Sequence, residues 1–292
     1  MSSGALTSED FRRYIDAFNR NDFETFGAYY APQIHFQGQA GEFHSREQVV
    51  SFYRQVKARV RETIRILTLV SGERDMVAEL ETELHALVDW PDFPTGPIYK
   101  GETRRSQNFC WYDVGDGMFG RIRSARYRSL QGAPGDNTSA VVDAPPLVHA
   151  AQDSRVDPTR QITMTAEQFS SYIDAFNRDD VATYGDYYTP DVVLVLAGKT
   201  ELRGRQAIFD FYKSVKSQTQ RTLRINKFVA TPEHIAVELE SEFLALQDLP
   251  QFTAGPMRKG GRIFINTFVL YDLLDGKFSR IRSALFRKID QP

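Results

Sequence analysis

The chain has 292 residues, of which 41% are hydrophobic and 25% charged, and its formal net charge at pH 7 is -2. This composition is typical of a globular protein long enough for two domains, and so small a net charge provides no bulk attraction to nucleic acid or to an anionic membrane. No apolar stretch reaches the roughly 18 residues that a membrane-spanning helix needs. Residues 1–5 lack the pattern of a signal peptide, so we expect a cytoplasmic protein.

The predicted elements of the first half begin with helices. A first helix starts at Thr7 or Ser8, a second runs from residue 23 through Tyr30, a strand begins at Ile34, and a third helix covers residues 46–59. Four segments with period-two alternation follow at 63–70, 76–88, 104–113 and 119–128. Helices followed by antiparallel strands predict an α+β fold, in which a curved sheet wraps around the N-terminal helices. Such a cone leaves a pocket at its mouth.

The second half repeats the first. Residues 14–20 (YIDAFNR) recur letter for letter at 172–178, and residues 121–125 (RIRSA) recur at 280–284. The offset between the copies changes by one near residue 40, which predicts a single insertion in the second copy. We therefore predict one domain at 1–130, a second at 162–292, and between them a linker at 131–161 that is rich in Gly, Pro, Ser and Asp.

Two strings in the first copy carry a family resemblance. They are Tyr14-Ile15-Asp16 ahead of Asn21-Asp22, and residues 46–55 (REQVVSFYRQ). Together with the order of the elements, they resemble the ketosteroid isomerase and SnoaL-like polyketide cyclase superfamily, which has the NTF2-like fold. The resemblance covers both copies and implies two cone-shaped domains packed as a pseudo-dimer. It leaves the reaction open, because this fold hosts isomerases, cyclases, hydrolases, lyases and non-catalytic binding domains.

The same resemblance implies an oxyanion-binding site in the first copy. Tyr14 aligns with the tyrosine that donates a hydrogen bond to a developing enolate, Tyr30 and Tyr53 align with its supporting hydroxyl groups, and Asn108 aligns with the second donor. The general base of the isomerases aligns with Gly38 and is therefore missing, which makes a plain ketosteroid isomerase the least favoured reaction. The tyrosines recur in the second copy, so an architectural role stays open; they are Tyr172, Tyr188 and Tyr212.

Differences between the copies favour a working site in the first copy. Arg105, Asn108 and Cys110 stand where the second copy has Phe, Thr and Val, and buried polar groups are costly unless they have partners. The alternative is that these positions face solvent. Arg105 and Cys110 are candidate substrate-binding residues.

Three further residues are candidates for the missing acid–base group, and each also has a structural interpretation. His35 and His85 titrate near neutral pH when unperturbed, and both are replaced in the second copy. Asp92 is a candidate acid and Trp90 a candidate aromatic wall, because both lie in a Pro- and Gly-rich loop that we expect at the mouth of the cone.

No metal or cofactor is predicted. Glu79, Glu81 and Glu83 alternate on one strand, which spreads them along it, and no His pattern joins them. We interpret them as part of a cross-strand ladder with repeated arginines, on the outer sheet face or between the copies. A Gly-rich phosphate loop and a zinc motif are both missing, and the single cysteine forms no disulfide within the chain.

These observations favour a cofactor-independent acid–base enzyme acting on a hydrophobic aromatic or polycyclic small molecule. A lyase performing a retro-aldol-type deformylation, an aldol-type cyclase and a ketosteroid-type isomerase all require that arrangement. The alternative from another class is a non-catalytic module for small-molecule binding or protein association. The two copies either replace a homodimer or leave sheet surface for a further homodimer.

Overall fold

The computed structural model describes residues 6–130 and 163–289. The predicted linker at 131–161 lies outside the described residues. The first domain contains, in chain order, α1 (Ser8–Asn19), α2 (Phe23–Ala28), β1 (Tyr30–Gly38), β2 (Gly41–Phe43), α3 (Arg46–Lys57), β3 (Val60–Ser71), β4 (Asp75–Ala86), β5 (Thr103–Gly115) and β6 (Met118–Ser129). The second contains α4 (Ala166–Asn177), α5 (Val181–Gly185), β7 (Tyr188–Leu196), β8 (Thr200–Arg203), α6 (Arg205–Gln218), β9 (Thr219–Ala230), β10 (His234–Ala245), β11 (Arg262–Leu274) and β12 (Lys277–Ile289). None of the described helices is long and apolar enough to cross a membrane.

The first helix forms where its sequence pattern predicts it. The Thr7 hydroxyl accepts from the amide of Asp10, and the Asp10 carboxylate accepts from the amide of Thr7, so a capping box closes the N-terminus of α1. Phe11, Tyr14 and Phe18 lie on the buried face of this helix. The second predicted helix was too long, because α2 ends at residue 28 and Tyr30 begins β1.

Each domain has one six-stranded sheet, with the order β2-β1-β6-β5-β4-β3 in the first and β8-β7-β12-β11-β10-β9 in the second. The sheets are mixed rather than wholly antiparallel as predicted. Strand β1 runs parallel to β6, and β7 runs parallel to β12, whereas the other pairings are antiparallel. The return of the chain through helix α3 and the long hairpins allows this parallel pairing, since parallel neighbours need a crossover.

Alternation along β5 separates the two faces of the first sheet. Cys110 and Tyr112 point to the inner face and pack with helix α1, whereas Phe109 and Trp111 point to the outer face and pack against the second domain. The outer-face cluster joins both domains and contains Val70, Val77, Phe109, Trp111, Ala125, Tyr127, Val195, Val229, Ala236, Phe268, Leu270 and Ala284. The two sheets therefore pack face to face as a pseudo-dimer within the chain.

Buried ion pairs cross this interface in pseudo-symmetric positions. Arg123 of β6 pairs with Glu238 of β10, and Arg282 of β12 pairs with Glu79 of β4. The predicted Glu–Arg ladder thus lies partly in the interface between the copies. Its remaining part lies within the two sheets. Glu81 pairs with arginines of β3 and β5 in the first domain, and Arg224 pairs with Glu240 and Glu242 in the second.

The inserted residue of the second copy lies in the hairpin turn between β7 and β8. This turn has three residues, 197–199, whereas the turn between β1 and β2 has two, 39–40. At Gly198, with φ of +64°, a Cβ atom would collide with the backbone of Tyr127 in β6 of the first domain. The longer turn therefore packs closely on the first domain, and glycine is required there by both space and backbone conformation.

Candidate functional site

A hydrogen-bonded tyrosine pair lies inside the first cone. The hydroxyl oxygens of Tyr14 and Tyr30 are 3.0 Å apart, and both side chains are buried. Burial raises the pKa of each phenol above its ordinary value, so both stay protonated at neutral pH. Tyr172 and Tyr188 form the same pair at 3.0 Å in the second cone. The pair belongs to the shared architecture, whatever further role it has in one copy.

Glu62 is the feature of this cone that sequence inspection missed. It lies on β3 opposite Leu84 of β4, with Ile64 next along the inner face. The side chain is partly buried, and burial raises the pKa of its carboxyl from 4.5 to about 7, although the nearby positive charge of Lys57 acts in the opposite direction. Burial and then the Glu62 charge raise the pKa of Tyr53. A titratable carboxyl group and two phenols therefore share one electrostatic environment.

Lys57 is fixed next to Glu62 by contacts with the backbone. Its ammonium group donates to the carbonyl oxygen of Phe18 at 2.7 Å and to that of Glu62 at 3.2 Å, and it lies 3.8 Å from the centroid of the Phe18 ring. Burial lowers the pKa of Lys57 to about 8. At neutral pH it is still mostly charged, so its positive charge partly offsets the effect of burial on Glu62.

The second cone carries the opposite charge at the same position. Arg221 is the counterpart of Glu62 and pairs in register with Phe243, as Glu62 does with Leu84. Its guanidinium carbon lies 5.6 Å from the ring centroids of Phe176 and of Tyr212. A comparison of the two copies would have identified this exchange, because Arg61-Glu62-Thr63 corresponds to Gln220-Arg221-Thr222.

Asn108 lies on the inner face of β5 in a band of polar groups. Its amide nitrogen donates to Ser106 Oγ at 3.2 Å and to Thr82 Oγ1 at 3.4 Å, and its amide oxygen accepts from Gln39 Nε2 at 3.1 Å. Its amide thus bonds to other side chains, and the structure shows no contact between it and Tyr14. Tyr14 of helix α1 and Asn108 of β5 thus both lie on the inner side of the first sheet, and no hydrogen bond joins them among the described residues.

The structure places His35 and His85 away from the cone interior. Ile34 and Phe36 pack inside the cone, so His35 between them points to the opposite face of β1, where Nε2 contacts the carboxylate of Glu42. His85 lies at the end of β4, with Nδ1 2.9 Å from Thr103 Oγ1. Neither imidazole is positioned to exchange a proton with a molecule beside Tyr14.

The loop between β4 and β5 packs against the end of helix α3 and the start of β3. Phe93 and Ile98 of this loop pack with Val56 and Val60, and Trp90 lies at the edge of that cluster. The Arg59 guanidinium carbon is 4.7 Å from the Trp90 ring centroid.

The acidic residues of the loop face outward. Asp89 accepts from the amide of Lys100 at 2.9 Å, and Asp248 accepts from that of Lys259 at 2.8 Å in the second domain, so this aspartate closes the loop in both copies. Asp92 is exposed and lies outside the cone.

Arg105 and Cys110 lie on opposite faces of β5. Arg105 points outward and pairs with Glu81, whereas Cys110 is buried in the cone with Sγ 3.4 Å from Ser124 Oγ. Burial raises the pKa of the Cys110 thiol to about 11, so it stays a thiol at neutral pH. Of the ten predicted site residues, the structure brings together Tyr14, Tyr30, Tyr53 and Cys110.

Two cavities in the described residues lie outside the cones. The larger is an open groove of about 500 Å3 between the domains, bounded by β1–β2 and β6 on one side and by Leu285–Arg287 of β12 on the other. The smaller, of about 190 Å3, lies on the second domain and includes Thr222 and Glu242. Inside the first cone, Tyr14, Tyr30 and Tyr53 each make ring contacts with a neighbouring aromatic side chain.

The solved structures similar to this chain each match about two fifths of it. A proposed polyketide cyclase from Xanthomonas campestris pv. campestris is 21% identical, with 40% of this chain and 87% of that chain covered and a TM-score of 0.36. A second proposed polyketide cyclase, from Pseudomonas putida KT2440, is 18% identical, with coverage of 41% and 91% and a TM-score of 0.38. An epoxide hydrolase of the LEH-like type from M. tuberculosis is 13% identical, with coverage of 40% and 80% and a TM-score of 0.34.

The curated proteins contain no match to the chain. The family described as SnoaL-like domain matches it twice, at residues 11–122 and 169–281. Each match begins in the first helix of a domain and ends in its last strand. The chain therefore belongs to the SnoaL-like domain family and contains two copies of that domain.

Proposed function

We propose that the first domain is a cofactor-free acid–base enzyme that acts on a hydrophobic aromatic or polycyclic small molecule, with Glu62 as its general base. The observation that carries this proposal is the partly buried carboxyl of Glu62 on the inner face of β3. Burial raises the pKa of this carboxyl to about 7, and its charge acts on the phenols of Tyr14 and Tyr53. A base is most effective when its pKa is near the working pH, because it is then both partly ionised and strongly basic. Membership of the SnoaL-like family supports a small-molecule ligand.

The chemistry follows from the residues of the cone. Ionised Glu62 takes a proton from a carbon next to a carbonyl group, and the electron pair of that C–H bond moves onto the carbonyl oxygen. If Tyr30 donates its proton to the oxygen of Tyr14, the Tyr14 hydroxyl keeps its own proton for the resulting enolate. Returning a proton to another carbon gives isomerisation, attack of the enolate on a carbonyl gives cyclisation, and the reverse of that attack gives a retro-aldol lyase reaction.

We place the working site in the first domain because the second lacks the base. Arg221 replaces Glu62, and a guanidinium group cannot accept a proton. Tyr172 and Tyr188 of the second cone provide a matched tyrosine pair without a carboxylate.

Deuterium exchange tests the proton-transfer step without knowledge of the natural substrate. Aryl ketones are incubated with the protein in D2O, and loss of the α-proton signal is followed by proton NMR. We expect the wild type to accelerate exchange, with a rate that rises as pH passes through about 7. Glu62→Gln should lower the rate by roughly 100-fold or more. Arg221→Gln is the matched control, and it should exchange like the wild type.

Two results would contradict the proposal. Full exchange activity in Glu62→Gln would place the base elsewhere. Tight binding of ketones or phenols without any exchange would favour the alternative, a non-catalytic binding module. That alternative has one structural observation in its favour, since the open groove of about 500 Å3 between the domains lies outside the cones.

A further inference from the structure

Three potential metal ligands meet on the hairpin of the first domain. They are His35 of β1, Glu42 of β2, and His44 just after β2, and their ligand atoms all lie within 4.8 Å of one another. The His35 Nε2 atom contacts the Glu42 carboxylate, and the imidazole rings of His35 and His44 are stacked, with centroids 4.9 Å apart and planes inclined by 23°.

The donor set suits a divalent transition-metal ion. Two neutral imidazole nitrogens and one carboxylate oxygen are a common combination for Zn2+ and its neighbours in the first row, whereas Mg2+ and Ca2+ prefer sets made of oxygen atoms. Donor atoms about 2 Å from a tetrahedral Zn2+ are about 3.3 Å apart, so the present atoms have to approach by at most about 1.5 Å. Glu42 and His44 are exposed, and rotation of their side chains suffices for this movement.

The cluster exists in one copy only. In the second domain the position of His35 is held by Val193 and that of His44 by Arg203, which pairs with Glu201, the counterpart of Glu42. Shared architecture therefore does not explain the two histidines. The hairpin of the second domain keeps the carboxylate and neutralises it with an arginine, whereas the hairpin of the first surrounds it with imidazoles.

The hairpin also borders the large groove. Gln37 and Glu42 line the groove, and the Gln37 amide donates to the Glu42 carboxylate at 3.0 Å. His35 points to the outer face of β1, away from the cone that contains Glu62. The cluster and the groove are thus separate from the acid–base site proposed above.

We propose that His35, Glu42 and His44 bind one divalent transition-metal ion, of which Zn2+ fits best, at the rim of the groove between the domains. Three protein ligands leave at least one coordination position for water or for a donor atom of a molecule in the groove. The ligand class for that position is an anion or a neutral oxygen or nitrogen donor, because these are the partners that a zinc ion binds.

Direct metal titration tests this site. The untagged full chain, freed of metal by a chelator, is titrated with ZnCl2 in a calorimeter, and with CoCl2 while the visible absorption of Co2+ is recorded. We expect one ion per chain. We expect His35→Ala and His44→Ala each to weaken binding at least about tenfold, since both remove a ligand. His85→Ala is the matched control, because His85 contacts Thr103 and lies outside the cluster.

Each result of the metal titration either establishes or overturns the site. Absence of Zn2+ binding by the wild type overturns the proposal, and so does binding that survives in His35→Ala and His44→Ala or is lost in His85→Ala. Loss in the first two variants only, with thermal melting unchanged, establishes the site. This result does not depend on the exchange assay, so the metal site and the acid–base function succeed or fail separately.

Discussion

Replacing Glu62 by glutamine should make the protein more stable at alkaline pH. The pKa of this carboxyl is raised from 4.5 to about 7 in the folded state, so the folded protein holds its proton more tightly than the unfolded chain does. Stability therefore falls as pH rises from about 4.5 to about 7, and the full cost is present above that range. One pKa unit corresponds to about 1.4 kcal/mol, which gives about 3 kcal/mol, and partial contact with solvent reduces this to roughly 1–3 kcal/mol.

The assay is thermal melting of wild type and Glu62→Gln at pH 4.5 and pH 8. Each kcal/mol corresponds to roughly 2–4 °C for a protein of this size, so the variant should melt about 2–12 °C higher at pH 8. At pH 4.5 the difference should shrink, because Glu62 is largely protonated in the folded wild type. Glu24→Gln, on the exposed side of α2, controls for the substitution itself. A Glu62→Gln variant that melts lower than wild type at pH 8, or equally shifted at both pH values, would refute this reasoning.

Two further predictions concern the interface. Arg123→Met leaves Glu238 buried without its cation and should destabilise the protein by about 3–5 kcal/mol in urea denaturation, and adding Glu238→Gln should recover part of the loss; a single variant as stable as wild type would contradict this. Gly198→Ala should lower the free energy of unfolding by about 1–3 kcal/mol, because residue 198 has φ +64° and its Cβ would collide with the backbone of Tyr127. Gly260→Ala, with φ +82° and open space around the Cβ position, should cost less by the same measurement, and equal losses would exclude the close approach as the cause.

The repeat predicted most of the fold. The structure and the family match confirm two copies of one α+β domain, packed as a pseudo-dimer. The prediction was possible because the same amphipathic pattern occurs twice in the sequence. The parallel pairing of β1 with β6 was not predicted, since period-two alternation identifies a strand without giving its direction. The contacts of the inserted turn could not be predicted from the sequence either, because they depend on how the two sheets pack against each other.

The candidate site was less accessible to sequence reasoning. Alternation around Ile34 and Phe36 already indicates that His35 points away from the core, and the structure places it there. Glu62 carries no motif, and its significance depends on burial by residues that are distant in sequence, such as Lys57 and Tyr53. Only its exchange for Arg221 in the second copy was visible, and that exchange becomes meaningful once both residues are seen on inner faces.

Because the two domains are fused in one chain, each side of their interface can change independently of the other. In a homodimer every substitution enters the interface twice, so a change that suits one half must also suit the other. Here each half is encoded separately, and only the second hairpin gained a residue and closed over β6, whereas the first left an open groove. Association within one chain also does not weaken on dilution. The duplicated gene product can therefore keep one half as a permanent partner while the other half changes its chemistry.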